Sequence, residues 1–139
     1  MPVAYSVDHR RQRIHATGTG PVGVEDLANY IASRVRDGVY DYDQLIDLST
    51  AQVDFASGEV MQVVRGARVH LSLKPIPFTA VVASAGSATY GVLRQLATLF
   101  SFEGASVQIV GSVDEGHHWL DQMQTERSSN PTADEGSGN

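Results

Sequence analysis

The fold is decided by the stretch Pro77-Phe-Thr-Ala-Val-Val-Ala-Ser84 and by the residues that follow it, Ala85-Gly-Ser-Ala-Thr-Tyr-Gly-Val-Leu-Arg-Gln-Leu-Ala-Thr-Leu-Phe100. Residues 78–83 are apolar except for Thr79 and show no alternation, which predicts a strand covered on both faces. Such strands lie in the middle of α/β sheets. The small residues 84–87 then allow a sharp turn, and Ser87 can cap the next helix.

The segment after this turn has the apolar spacing of a helix. Its apolar positions form one broad face that must pack on a sheet, and Gly91 would permit a close approach of the backbone. The face is made by Val92, Leu93, Leu96, Leu99 and Phe100. Strand, tight turn and helix form the unit around which the other elements are arranged.

The rest of the chain supplies strands and helices on either side of this unit. The predicted elements are a hairpin of residues 3–7 and 13–19, a helix over 24–36 that Gly38 stops, a strand over 44–49, a helix capped by Ser57, a strand over 105–110, and a helix opened by the capping box Ser112-Val-Asp-Glu115. The order β-β-α-β-α-β-α-β-α predicts an α/β protein. We expect a single mixed sheet of about five strands, an antiparallel edge hairpin plus parallel strands, with about four helices.

Two segments have the composition of irregular structure. Gly18-Thr-Gly-Pro-Val-Gly23 is interpreted as a loop, and it lacks the position and spacing of a dinucleotide or phosphate loop. Residues 126–139 contain no large apolar side chain. The sequence therefore predicts one domain, residues 1–125, and a disordered tail over 126–139.

Composition argues against several classes of protein. The formal net charge of −6 disfavours nucleic-acid binding, and the absence of cysteine excludes disulfides and thiolate chemistry. The sequence opens without the pattern of a secretory signal, and no apolar run approaches the length of a membrane span. We expect a cytoplasmic protein with no membrane segment, and we expect no cofactor.

Two groups of charged residues are candidates for a partner-binding or metal-binding site. Arg10, Arg11 and Arg13 form a basic cluster that is interpreted as a solvated hairpin tip, with a contact to an acidic partner as the alternative. The last helix carries two i,i+4 pairs, which are His117 with Asp121 and Asp114 with His118. Each pair could supply two metal ligands, but the pattern offers no third, so we interpret both as solvated pairs and predict no metal site.

The element order, together with Asp47-Leu-Ser-Thr-Ala-Gln-Val-Asp-Phe-Ala-Ser-Gly58, resembles the STAS fold of the anti-sigma-factor antagonists. In that family a similar strand is followed by a Met-Asp-Ser-Ser-Gly motif at a helix start, and a partner kinase phosphorylates the first serine. Here Phe55 stands at the family's Asp and Ala56 at its phosphoacceptor serine, and only Ser57 and Gly58 match. Further stretches, 90–94 and 105–120, resemble the SpoIIAA-like branch, and the resemblance covers about residues 3–123.

The resemblance implies a non-enzymatic regulatory or protein-interaction module that has lost its phosphoacceptor at Ala56. It further implies a protein partner of the kinase or anti-sigma type, and a homodimer is expected from the exposed edge of the hairpin. Ser57 could accept phosphate instead, although its expected role is to cap a helix.

The alternative function is a small-ligand-binding module. In open α/β sheets, ligands lie beyond the carboxyl ends of the parallel strands, where helix N-termini offer free N–H groups. An apolar or anionic ligand would lie there, between sheet and helices. The candidate ligand- or partner-binding residues are Asp47, Ser49, Thr50, Ser57, Gly58, Ser84, Gly86 and Ser87. The same residues suit turns and caps, and Asp47 could accept hydrogen bonds from neighbouring groups instead.

An enzymatic function has the least support. The nucleophile motif Gly-x-Ser-x-Gly is absent, although a Ser-His-Asp triad assembled across the fold stays open at the level of sequence. We predict that the chain is not an enzyme.

Overall fold

The computed structural model describes residues 3–53, 55–71 and 76–129, without the side chains of residues 57, 69–71 and 129. In these ranges the elements follow the predicted order. The strands are β1 (Val3–Asp8), β2 (Arg13–Val22), β3 (Asp43–Val53), β4 (Phe78–Val82) and β5 (Ser106–Val110), and the helices are α1 (Val24–Arg36), α2 (Ser57–Leu71), α3 (Ala88–Ser101) and α4 (Val113–Ser129). None of these helices is long and apolar enough to cross a bilayer.

The strands form one mixed sheet in the order β1-β2-β3-β4-β5. β1 pairs antiparallel with β2, and β2 to β5 run parallel. Each parallel pair is joined by a helical crossover, and crossovers of one hand that step in one direction place their helices on one face. α1, α2 and α3 therefore cover one face, and α4, which follows the last strand, packs on the other. The middle strand is β3, and β4, the strand predicted over residues 78–83, lies next to it. The predicted central position of this strand is therefore off by one strand.

Each face of the sheet has its own apolar core. The larger core lies under α1, α2 and α3, and the smaller lies under α4, where Leu120 is fully buried. β4 contributes Val81 to the larger core and Ala80 and Val82 to the smaller one. This confirms the prediction that the strand is covered on both sides.

The close approach of a helix backbone to the sheet occurs in α4 and not in α3. A Cβ added to Gly116 would lie 2.1 Å from Leu45 Cδ1, whereas within the described residues a Cβ on Gly91 would meet no atom within 4 Å. The prediction for Gly91 is therefore wrong. Gly116 is the glycine that lets a helix lie flat on the strands.

The segment interpreted as a loop, Gly18–Gly23, is mostly strand, because β2 runs to Val22. Among the described residues β1 pairs with β2 only as far as Gly18, so Pro21 lies on a stretch of the outer edge of β2 where no paired residue is described. β3 likewise runs past the predicted end at residue 49 to Val53, paired with this extension of β2. A register shift between Thr17 and Thr19 marks a β-bulge, which Gly20, with φ of +64°, follows.

The starts of the helices agree with the predicted caps in two cases. Ser87 Oγ accepts a hydrogen bond from Tyr90 N–H at 3.0 Å, and Ser112 Oγ accepts one from Glu115 N–H at 3.1 Å. α2 begins at Ser57 itself, so Ala56 holds the position before the first helical residue. The Glu59 side chain accepts a hydrogen bond from Ala56 N–H at 2.8 Å, while the side chain of Ser57 lies outside the described residues.

α4 continues to Ser129, so the predicted domain boundary after residue 125 is too early. The reason is a contact that the composition of the segment does not reveal. Arg127 Nη2 donates to Asp43 Oδ1 at 2.9 Å and holds the last turns on the sheet. The remainder of the predicted tail, residues 130–139, lies outside the described residues.

Candidate functional site

The predicted residues at the carboxyl ends of the strands are used in local hydrogen bonds. Asp47 Oδ1 accepts from the N–H of Ser49 at 3.0 Å and from its hydroxyl at 2.6 Å. This is the neighbour-bonded state that the sequence offered as the alternative for Asp47. Thr50 Oγ1 lies 3.5 Å from the carbonyl oxygen of Gly18, and Gly58 is exposed near the start of α2.

The second group of predicted residues forms the turn between β4 and α3. Ser87 Oγ donates to the carbonyl oxygen of Ser84 at 2.7 Å, and Gly86 has φ of +83°, which favours glycine. The hydroxyl of Ser87 thus accepts and donates within its own turn. A ligand- or partner-binding role for the eight predicted residues stays a prediction.

The stretch that resembles the phosphorylation motif is partly a core segment. Phe55 is 8% exposed and belongs to the larger core, whereas Ala56 is exposed. Burial of the Phe55 ring anchors this segment on the larger core. At Ala56 the chain offers no hydroxyl to a kinase.

Arg13 is not part of a solvated hairpin tip, and this part of the sequence-based interpretation is wrong. The residue is 2% exposed, and Nη2 donates to Asp121 Oδ1 at 2.8 Å and to Gln124 Oε1 at 3.0 Å. Nη1 lies 3.1 Å from His117 Nδ1. His117 and Asp121 therefore both contact Arg13, while the Asp121 side chain stays 59% exposed.

Asp43 is the second buried charge under α4. Its carboxylate accepts from Phe78 N–H at 2.9 Å, from Gln124 Nε2 at 3.0 Å and from Arg127 Nη2 at 2.9 Å. Gln124 thus joins the Arg13 and Asp43 groups into one network. We call it the α4 clamp, and its members are Arg13, Asp43, His117, Asp121, Gln124 and Arg127.

The α4 clamp affects the titration of His117. Burial lowers the pKa of this histidine from its ordinary 6.5, and the positive charge of Arg13, followed by His15 and Arg11, lowers it further, while Asp121 opposes them. The rings of His15 and His117 are 5.7 Å apart between centroids. The clamp therefore favours a neutral imidazole at this position.

On the other face of the sheet, an apolar pocket of about 140 Å³ lies between α1, α2, α3 and the sheet. It is partly open, and its wall is almost entirely apolar. Among the residues that line it are Leu27, Ile31, Val63, Val81, Leu93 and Leu96. We call it the helix–sheet pocket.

Three of the polar groups in the wall of the pocket are bonded to one another. Tyr30 Oη donates to Gln44 Oε1 at 2.5 Å, and Gln44 Nε2 donates to Thr79 Oγ1 at 2.8 Å. Burial raises the pKa of Tyr30, so the phenol stays neutral and keeps its proton for this bond. These groups are satisfied without a ligand.

The charged group in the wall is Arg34, in the last turn of α1. The helix ends there in a Schellman motif: Val39 N–H donates to the Arg34 carbonyl oxygen at 2.9 Å, and Gly38, with φ of +73°, takes the left-handed position. The prediction that Gly38 stops the helix is confirmed. The motif fixes the direction from which the Arg34 side chain enters the wall.

The helix–sheet pocket lies at the opposite end of the sheet from the predicted site. Its wall includes Gln44 and Thr79, near the amino ends of β3 and β4, together with Ala105, just before β5. None of the predicted site residues whose side chains are described lines it. In the described ranges, no three His, Asp or Glu side chains converge into a set that could hold a metal ion.

Comparison with known proteins gives no match to a family model and no match among curated proteins. A solved structure does match: an uncharacterised protein of the DUF3478 family with a SpoIIAA-like fold from Shewanella loihica PV-4. It is 12% identical, with a TM-score of 0.58 over 85% of this chain and 93% of that one. The chain has a SpoIIAA-like fold.

A second solved structure, the anti-sigma factor antagonist SpoIIAA in its unphosphorylated form, is 15% identical, with a TM-score of 0.46 over 87% of this chain and 98% of that one. The first of these two structures confirms the STAS-like resemblance of the sequence at the level of fold. The SpoIIAA-like fold here combines five strands with four helices in a single mixed sheet, as predicted.

Proposed function

We propose that this chain is a non-enzymatic small-ligand-binding module of SpoIIAA-like fold, and that its ligand is an apolar molecule held in the helix–sheet pocket. The observation that supports the proposal is the pocket itself, with about 140 Å³ of space in an apolar wall. An engineered apolar cavity of similar volume, about 150 Å³, binds benzene. This is the small-ligand-binding function that the sequence analysis gave as the alternative. The proposed binding site, however, lies toward the amino ends of the strands and not at their carboxyl ends.

Energetics favour an occupied pocket over an empty one. An enclosed empty apolar cavity of 140 Å³ would cost about 3 kcal/mol at about 24 cal/mol for each Å³, and the cost of this partly open pocket is smaller. A molecule that fills the space restores the missing contacts, and its binding stabilises the folded chain by mass action.

The test uses toluene, a neutral probe of the size of the pocket, and reads the change in melting temperature and in the NMR spectrum. Toluene should raise the melting temperature of the parent chain. Ala97→Leu, which adds a side chain to the wall of the pocket, should abolish the effect. The matched control is Ala88→Leu, an exposed residue of the same helix, which should leave it intact.

An unchanged melting temperature with toluene, together with unshifted resonances for Leu93 and Leu96, would contradict the proposal. So would equal effects of toluene on the parent and on Ala97→Leu. Native mass spectrometry of the protein from its host adds an independent reading, since a retained natural ligand would appear as an added mass.

Regulation by phosphate at the STAS-like motif is weakened by the residues around Ala56. The alanine carries no hydroxyl, and the carboxylate of Glu59 already accepts the hydrogen bond of Ala56 N–H at the start of α2. Phosphorylation of Ser57 stays a prediction, which intact-mass measurement on the native protein checks.

The second candidate is the protein-interaction module implied by the resemblance, with a kinase or anti-sigma-type regulator as partner. One observation supports an association of this kind: among the described strands, β1 lies at the edge of the sheet and pairs with β2 alone. Unpaired strand edges are sites where another chain can add. Light scattering at micromolar concentration checks the expected homodimer, and co-purification from the host checks the partner.

A further inference from the structure

Arg34, the buried arginine of the helix–sheet pocket, differs from Arg13 and Arg127 in its ionic partners. Those two arginines are also buried or half-buried in the described part of the chain, and each forms a salt bridge. Arg13 pairs with Asp121 and Arg127 pairs with Asp43, both at 2.9 Å or less. Arg34 is 8% exposed, yet no salt bridge to it is found in the described part of the chain. A buried guanidinium without an anion is unfavourable, because it has lost water and gained no opposite charge.

The hydrogen bonds of Arg34 are also incomplete. Nη2 donates to the carbonyl oxygen of Tyr40, and the guanidinium carbon lies 5.7 Å from the centroid of the Tyr30 ring. Nε is buried and has no hydrogen-bond partner among the described residues. Burial lowers the pKa of Arg34, and Tyr30, Tyr5 and Asp41, in that order, oppose it. The side chain thus retains an unused N–H donor in the wall of an apolar pocket.

The missing partner has a definite chemistry. Arginine presents parallel N–H donors in a planar fork that matches a carboxylate. A singly charged carboxylate also costs less to remove from water than a doubly charged phosphate, and the wall offers a single cation, Arg34, within the described lining. The remaining space, about 140 Å³, is apolar and has the size of one six-membered ring.

We propose that the helix–sheet pocket binds a small monocarboxylate, with an aromatic ring or a short alkyl chain in the apolar space and its carboxylate on the guanidinium of Arg34. This inference rests on the proposed function and goes beyond it by naming the class of ligand. The carboxylate accepts from the guanidinium group and supplies the opposite charge that Arg34 lacks among the described residues. The apolar part of the ligand contacts Leu93 and Leu96, which line the same pocket.

The experiment compares benzoate with benzyl alcohol, which has a similar shape but no charge, on the full-length chain by calorimetry or ligand-observed NMR. Benzoate should bind about tenfold or more tightly than the alcohol, since hydrogen bonds to charged groups are the stronger ones. Arg34→Met, of similar length and without charge, should remove this preference. The matched control is Arg36→Met, whose side chain is 72% exposed in the same turn of α1, and it should keep the preference.

Equal affinity of the parent for benzoate and benzyl alcohol would overturn the inference, as would a preference that survives Arg34→Met. Circular dichroism reports whether Arg34→Met is folded. If it is not, Arg34→Gln, which removes the charge but keeps N–H donors, takes its place, and an unchanged preference in that variant overturns the inference. Toluene separates the two proposals. If the parent binds toluene but shows no preference for benzoate over benzyl alcohol, only the monocarboxylate inference is contradicted. If the parent does not bind toluene, the proposed function is contradicted.

Discussion

His117 shows how a single side chain can make stability depend on pH. Burial, and then the charge of Arg13, lower its folded-state pKa below the ordinary 6.5. As the pH falls through 6.5 the unfolded chain takes up the proton before the folded chain does, so folded stability decreases. The decrease ends once the pH lies below the folded-state pKa, where both states are protonated.

We predict that His117→Gln reduces the loss of stability between about pH 8 and pH 5. Glutamine retains an oxygen that can accept from Arg13 but has no proton to gain in this range. The measurement is urea unfolding of parent and variant at both pH values. Equal losses in the two proteins would contradict the prediction, and an NMR titration of the His117 ring gives the direction of the pKa shift directly.

At the scale of residues, the sequence predicted what depends on near neighbours. The caps at Ser87 and Ser112 and the hydrogen bonds of Asp47 involve positions no more than three apart. Arg13 was misjudged because its partner Asp121 lies 108 positions away. One signal was present, since His117, Asp121 and Gln124 recur at helical spacing on α4 and so had to share a face.

At the scale of elements, α4 packs on the sheet through a glycine. We predict that Gly116→Ala destabilises the fold by about 1–3 kcal/mol, because its Cβ would lie 2.1 Å from Leu45 Cδ1 and Leu45 is fully buried. Gly91→Ala is the matched control in α3. Its Cβ meets no described atom within 4 Å, so the higher helix propensity of alanine should stabilise by up to about 1 kcal/mol.

Chemical denaturation of the two variants beside the parent measures both changes. We expect opposite signs for the two changes in the free energy of unfolding. Both substitutions improve helix propensity, but only the new Cβ of Gly116→Ala would clash with a neighbouring side chain. A stabilised Gly116→Ala protein would show that α4 does not lie against β3 as described.

The elements themselves were largely predictable, and their ends were less so. Period and composition gave the order of strands and helices, and α1 has the predicted bounds, Val24–Arg36. The extension of β2 to Val22 was missed because glycine and proline indicate a loop unless one knows that they lie on the outer edge of the strand, where no paired residue is described. The helix–sheet pocket was missed because its wall is collected from residues 27 to 107, and no local pattern records the space between them.

At the scale of the whole molecule, the last turns of α4 hold the second face of the sheet. We predict that a chain of residues 1–125 is less stable than one of residues 1–129 by about 1–3 kcal/mol, because the Asp43 carboxylate loses the hydrogen bonds from Arg127. Urea unfolding of both chains checks this. The control is Ser128→Ala in the longer chain, an exposed position that should change stability little, and equal stability of the two lengths would contradict the prediction.

The position of α4 at the end of the described fold also orders the events of synthesis. The sheet and the three helices of its first face leave the ribosome before the helix that covers its second face. Until α4 emerges, Leu45, Ala80 and Val82 have no cover on that side. A nascent chain that pauses there exposes an apolar sheet face, which is a surface that chaperones recognise and that promotes aggregation. Synthesis of α4 therefore covers the apolar residues of the second face and removes this hazard.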